Sequence, residues 1–340
     1  MPSGGLEARL LRLWWQPEPT ALAWLLWPLS KLYRGLWLLH RRTRPAAQPL
    51  PVPVLVVGNH VVGGAGKTPT VIAIVQALQR AGHRPGVISR GHGRLGHGVH
   101  AVEARDAAAL AGDEPLLIRR RCAVPVFIGA RRVAAGRALC SAHPEVDVLV
   151  SDDGLQHAAL ARHAELVVFD ERGVGNGLLL PAGPLREPLP KAMPLSRRVL
   201  YTSGKASTAL PGSLALRSIA SAQPLAAWHA GDAAAVVSLS ALADRPLLAV
   251  AGIAAPDKFF SMLRTAGLTI ETCPLPDHHV YNTLPWPAGT ADVVTTEKDA
   301  TKLDPQHLGS TRVWVVPLDL ALPQSLISEL MALLFTPRTH

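Results

Sequence analysis

The sequence predicts an α/β protein: a mostly parallel sheet with helices on both faces, a second, smaller α/β domain, and a helix at the N-terminus that lies in an interface. Three observations carry this. Short apolar runs alternate with helical patterns between residues 54 and 169, as strands buried on both faces alternate with covering helices. The texture turns to small residues, short strands and turn signals from about Tyr201, and the α/β alternation then resumes from Leu247. The first 45 residues have a composition of their own.

The 340 residues suffice for two modest domains. With 48% hydrophobic and 17% charged residues, a buried core is easily supplied and a disordered chain is excluded. Aromatic residues make up only 5%, which argues against stacking platforms for single-stranded nucleic acid. The net charge of +9 suits an anionic membrane face or a phosphorylated substrate. Nucleic acid is not expected as a partner, because the basic residues form no long run interleaved with aromatics. Cys122, Cys140 and Cys273 are widely spaced and read as small buried hydrophobes in a reducing compartment.

Residues 1–45 hold Trp14, Trp15, Trp24, Trp27 and Trp37, and seven Lys or Arg against two Glu. Leucines at 22, 25, 29, 32, 36 and 39 fall on one helical face, with Lys31, Arg34 and Arg41 on another stripe. Lys31 and Arg34 would sit mid-bilayer in a spanning helix, and Pro28 would kink it. The basic cluster follows the apolar stretch, unlike the order in a signal peptide. These features predict a peripheral or monotopic segment, leucines down and basic groups toward anionic lipid, over an amphipathic helix packed on its own domain.

After the Pro-rich linker Pro45–Pro53, a nucleotide-binding domain is expected over 46–200, a smaller α/β domain over 201–322, and a C-terminal helix over 323–340 that returns to the core. Strands are expected at Val54–Val57, Pro85–Ser89, Val124–Ile128, Asp147–Val150, Leu166–Phe169, Leu247–Ala251, Asp292–Thr295 and Val313–Val316. Helices are expected near Thr70–Ala81, Pro115–Arg121, Ala130–Ala142, Asp257–Ala266 and Pro323–Phe335. No internal repeat is present.

The first strand runs into Gly58-Asn59-His60-Val61-Val62-Gly63-Gly64-Ala65-Gly66-Lys67-Thr68, and a helix follows. Glycines let backbone N–H groups approach phosphates, and the helix N-terminus adds positive potential. This is the context of an ATP-binding phosphate loop, a P-loop of the Walker A kind, spanning Val61, Val62, Gly63, Gly64, Ala65, Gly66, Lys67 and Thr68. Lys67 is expected on the β- and γ-phosphates and the Thr68 hydroxyl on Mg²⁺. Val61 stands where the general motif begins with glycine.

The apolar strand ending at Val150 leads into Asp152 and Asp153, placed to ligate the same Mg²⁺ at the carboxyl end of the sheet; which of the two does so is open. Taken alone, Asp113 and Glu114 read as a helix start, and His278 as an exposed loop histidine.

Together the strings Val62–Pro69 (VGGAGKTP), Ser89-Arg90-Gly91, Gly112–Pro115 (GDEP), Asp152–His157 (DDGLQH), Leu180–Pro188 (LPAGPLREP), Pro276–His278 (PDH) and Thr296–Asp299 (TEKD) resemble, in order, the tetraacyldisaccharide 4'-kinase family of lipid A biosynthesis. Val61 fits that family; Leu155 stands where phenylalanine is expected. The resemblance implies an ATP- and Mg²⁺-dependent transfer of the γ-phosphate to the 4'-hydroxyl of tetraacyldisaccharide 1-phosphate, at the cytosolic face of the bacterial inner membrane. It implies Asp113 as base with His278 as its partner, Glu187 as a further metal ligand, and Arg186 and Glu114 as contacts to substrate or phosphate. With His278 in the smaller domain and the phosphate loop in the larger, closure of the domains is expected. The rival reading, a membrane-associated P-loop switch ATPase, is disfavoured because its characteristic lysine before the paired glycines is Val62 here.

Overall fold

Four apolar residues and a glycine, all buried, form the strand Val54–Gly58. A run buried on both faces suits the middle of a parallel sheet. In the computed structural model, which describes residues 6–190 and 193–336, this strand lies between Val148–Asp152 and Ala164–Phe169, parallel to both. Pro85–Ser89 extends the sheet beyond Val148–Asp152, and Arg197–Tyr201 followed by Ser213–Leu214 extends it on the other side, again in parallel. Helices Lys67–Arg80 and Arg132–Ala142 and the C-terminal helix Gln324–Phe335 pack on these strands. Expectations for residues 1–5, 191–192 and 337–340 lie outside the described residues.

The chain divides into two units. The first holds the described residues through Arg90, then Arg131–Leu216, then those from Leu322 onward; the second holds Gly91–Ala130 and Arg217–Ala321. Two sets of contacts lie within the second unit. His100–Ala101 pairs antiparallel with Val126–Ile128. The helix Asp113–Cys122 sends Arg121 to Glu297 at 2.8 Å and to Asp319 at 2.6 Å. These carboxylates hold the guanidinium above its ordinary pKa despite the opposing effect of burial.

The second unit has a six-stranded sheet in the order Val237–Ser238, Ser221–Pro224, Arg312–Val316, Asp292–Thr296, Leu247–Ala251, Ile270–Pro274. The last four strands run parallel, and the first two pairings are antiparallel. Phe259, Phe260 and Leu263 of the helix Pro256–Thr265 close its core against Leu247, Ala249 and Val294.

At the N-terminus, Ala21–Arg42 is one helix with Pro28 inside it, capped by Thr20, whose hydroxyl accepts from the Ala23 N–H. Its leucine stripe is not the face that docks. Ala23 and Ser30 are buried, whereas Leu22, Leu25, Leu29, Leu32, Leu36 and Leu39 are all exposed, Leu25 at 74%. The docking contacts are polar: Ser30 Oγ donates to the Leu179 carbonyl at 2.8 Å, and Tyr33 Oη to the Arg186 carbonyl at 2.7 Å. In the shorter helix Leu6–Trp14, the Trp14 indole N–H donates to the Pro181 carbonyl. Among the described residues, no helix is long and apolar enough to cross a membrane.

Candidate functional site

The loop after Val54–Gly58 is shaped by its neighbours as much as by its glycines. Gly63 and Gly66 take φ of +87° and +84°, open to glycine and strained for other residues. Gly58 is required for space: a Cβ there would lie 2.7 Å from the Leu155 Cβ. Val61 is buried and forms a β-bridge with Leu185, which explains an apolar residue where the general motif has glycine. Val62 N–H donates to the Pro184 carbonyl, and Arg186 N–H to the His60 carbonyl. The segment 184–186 therefore splints the loop.

Lys67 opens the helix Lys67–Arg80, with Thr68 next. The Lys67 ammonium lies 3.3 Å from Asn59 Oδ1 and 3.5 Å from Asp153 Oδ1. Arg186 Nη1 is 3.4 Å from the same Asp153 oxygen. Burial acts to raise the Asp153 carboxyl, but Lys67 and Arg186 outweigh it and hold the group below its ordinary value. Asp153 also sits at φ +48°, a backbone conformation that costs about 1–2 kcal/mol outside glycine. Its neighbour Asp152 ends its strand almost fully buried, with Ser89 Oγ donating to Oδ2 at 3.3 Å.

Glu187 meets His60 and Gln156. Its Oε1 lies 3.2 Å from His60 Nδ1 and accepts from Gln156 Nε2 at 2.9 Å. Burial raises this carboxyl, and the His60 and Gln156 contacts more than offset it. Sequence reasoning missed Arg132, a buried guanidinium that interacts with Asp152 and Asp153 and whose pKa burial lowers. Nothing in an isolated Arg-Arg pair at a helix start singles it out. Among the described residues, no three His, Cys, Asp or Glu side chains converge as a ready-made metal cage. A hydroxyl and one or two carboxylates nonetheless fit Mg²⁺, which takes oxygen ligands and is commonly completed by substrate phosphate and water.

The expected pair Asp113 and His278, far apart in sequence, meets within the second unit. Gly112 at φ +84° turns the chain into the helix Asp113–Cys122, leaving Asp113 at its N-terminus. His278 stands at φ +56°, its N–H donating to Asp277 Oδ1. His278 Nδ1 lies 3.1 Å from Asp113 Oδ2. Burial pushes the Asp113 carboxyl up, but His278, Lys298 and Lys302 bring it below its ordinary value. The Asp113 hydrogen bond raises the His278 imidazole, partly opposed by burial and by Lys298.

Lys298, within the string Thr296–Asp299, has no role that the sequence alone assigns. Its Nζ lies 3.3 Å from Asp277, 3.5 Å from Glu114 and 3.9 Å from Asp113. One turn later, Lys302 lies 4.0 Å from Asp113 and 3.3 Å from Asp299. Asp299 is fully buried and accepts from Gly252 N–H and Thr296 Oγ1, which ties this turn to the sheet. Among the described residues no disulfide forms; Cys122 is buried, and burial pushes its thiol up to about 12.

A crystal structure of LpxK from Aquifex aeolicus, described as an apo form in complex with ATP, superposes with a TM-score of 0.74 at 26% identity, covering 92% of this chain and all of that one. The sequence model of the tetraacyldisaccharide-1-P 4'-kinase family matches residues 22–334. A tetraacyldisaccharide 4'-kinase of Leptothrix cholodnii is 53% identical over 97% of this chain and 96% of its own length. One from Dechloromonas aromatica is 45% identical over 94% and 96%. The chain belongs to the tetraacyldisaccharide-1-P 4'-kinase family.

Proposed function

We propose that this enzyme transfers the γ-phosphate of ATP to the 4'-hydroxyl of tetraacyldisaccharide 1-phosphate, the kinase step of lipid A biosynthesis that gives lipid IVA. The observation that carries the reading is Asp113: a buried carboxylate at a helix start, hydrogen-bonded to His278, in a member of this kinase family. Ionised Asp113 accepts the proton of the 4'-hydroxyl as the oxygen attacks phosphorus, and His278 orients the carboxylate. In the other unit, the loop Val61–Thr68 cradles the phosphates with backbone N–H groups, and Lys67 turns from Asp153 to the β- and γ-phosphates. Arg186 would leave Asp153 for a phosphate oxygen, and Glu114 would meet the sugar.

Mg²⁺ would be held by the Thr68 hydroxyl with Asp152 or Asp153. When bound, it neutralises charge on the transferring phosphoryl group. Glu187, engaged by His60 and Gln156, supports the Asn59–Val62 backbone and is the weaker ligand candidate.

The exposed leucine face of Ala21–Arg42 supports attachment to the cytoplasmic face of the inner membrane, where the acyl chains of the acceptor lie. Lys31 over the Trp27 ring at 4.3 Å places a cation beside an aromatic suited to headgroup depth.

The test is product analysis after incubation of purified enzyme with ATP, Mg²⁺ and tetraacyldisaccharide 1-phosphate in detergent micelles. A new monoester phosphate on the 4' carbon, seen by ³¹P NMR and mass spectrometry, is expected. Lipid-stimulated ATP hydrolysis without phosphorylated lipid would favour the switch-ATPase reading instead.

A further inference from the structure

We propose that Lys298 is a positioning residue that fixes His278 as the neutral Nδ1–H tautomer, so that the imidazole donates to Asp113 and turns its Nε2 lone pair to Lys298. The inference deepens the proposed reaction and rests on Asp113 and His278 forming its proton-accepting pair.

The two ring nitrogens of His278 face different chemistry. Nδ1 lies 3.1 Å from Asp113 Oδ2, and Nε2 lies 3.3 Å from Lys298 Nζ. An ammonium has donors and no acceptor, while an ionised carboxylate is acceptor-only. Nε2 must then present its lone pair to Lys298, and Nδ1 must carry the hydrogen given to Asp113. The opposite tautomer would point an N–H at the ammonium and a lone pair at the carboxylate. The imidazolium would satisfy Asp113 but set a second positive charge against Lys298.

Lys298 is itself well anchored. Its side chain is 17% exposed and lies among the carboxylates of Asp277, Glu114 and Asp113. Those carboxylates hold its ammonium above the ordinary lysine value against the effect of burial, so the cation persists throughout the working range. Its helix start is capped by Thr296, whose hydroxyl accepts from the Asp299 N–H. His278 is fixed by its backbone, pinned through the Asp277 side chain.

The other charged or titratable groups around the ring are Asp113 and Glu114 at the helix start, Asp277 on its own loop, Lys302 one turn beyond Lys298, and the His92 ring at 6.3 Å. Asp113 and Asp277 favour the imidazolium, and Lys298 opposes it. Removing Lys298 leaves burial alone to oppose the carboxylates' pull, so a proton is drawn more readily onto His278 and the neutral tautomer is lost at a higher pH.

The experiment is long-range ¹H–¹⁵N NMR of the full chain labelled with [¹⁵N]histidine, with His278 assigned by its loss in His278→Gln. At about pH 8, the wild type is expected to show a protonated Nδ1 and a pyridine-type Nε2. In Lys298→Met, the imidazole midpoint and the acid limb of kcat/KM should both move up by about one pH unit. Lys298→Arg, which keeps a cationic donor, should restore both. A wild-type ring protonated on Nε2, or a Lys298→Met midpoint and acid limb coincident with wild type, would overturn the proposal. The wild-type spectrum decides the tautomer even if Lys298→Met fails to fold. Lack of kinase activity in the wild type would sink the proposed reaction while leaving that spectrum to decide the tautomer.

Discussion

Burial alone would make Asp113 a weak acid, and the surrounding His278, Lys298 and Lys302 reverse that, so this carboxyl is ionised wherever the enzyme works. Its partner is shifted the opposite way, and the two shifts define a stability window. An imidazole raised above its ordinary 6.5 contributes stability that is complete below 6.5 and lost as pH rises through the folded value. A carboxyl held below its ordinary 3.8 contributes stability above 3.8 that is lost as pH falls through the folded value. The Tm difference between wild type and His278→Gln should therefore be largest between about pH 4 and 6.5 and shrink at higher pH. A difference that grows from pH 6.5 to 9 would contradict the pairing.

At the scale of elements, the turn at Gly112 sets the direction in which the helix Asp113–Cys122 starts. A Cβ there would lie 3.3 Å from the His92 carbonyl, and φ of +84° disfavours any other residue. Gly112→Ala should lower stability by about 1–2 kcal/mol, read by thermal or urea unfolding, and should lower kcat by moving Asp113. The N-terminal helix makes a separate prediction. Leu25→Glu with Leu32→Glu alters only exposed positions, so folding and ATP binding should be kept while sedimentation with anionic vesicles is lost.

The sequence made some of these elements legible and hid others for physical reasons. Pro85–Ser89 and Leu247–Ala251 are found with the expected bounds, because continuous apolar runs flanked by turn residues are unambiguous. The strand Ile270–Pro274 was not foreseen, since its residues are mostly exposed and lack an apolar run. The return of Gly91–Ala130 to the second unit rests on long-range pairs such as Arg121 with Glu297, which no local periodicity encodes. The candidate site behaved alike. Lys67, Asp152 and Asp153 announced themselves by position at strand and helix ends, whereas Lys298 and Arg132 gain meaning only from what they face.

For the whole molecule, the net charge of +9 and an exposed leucine stripe suit an enzyme whose acceptor is an anionic lipid. The central claim is that Asp113 takes the acceptor's proton during phosphoryl transfer. The most direct measurement is kcat for transfer of labelled γ-phosphate to tetraacyldisaccharide 1-phosphate in micelles, for wild type and folded Asp113→Ala, with ATP affinity measured alongside. A loss of about 10²–10⁴-fold in kcat at nearly unchanged ATP affinity is the predicted result. Transfer by Asp113→Ala at close to the wild-type rate would contradict it and place the base elsewhere.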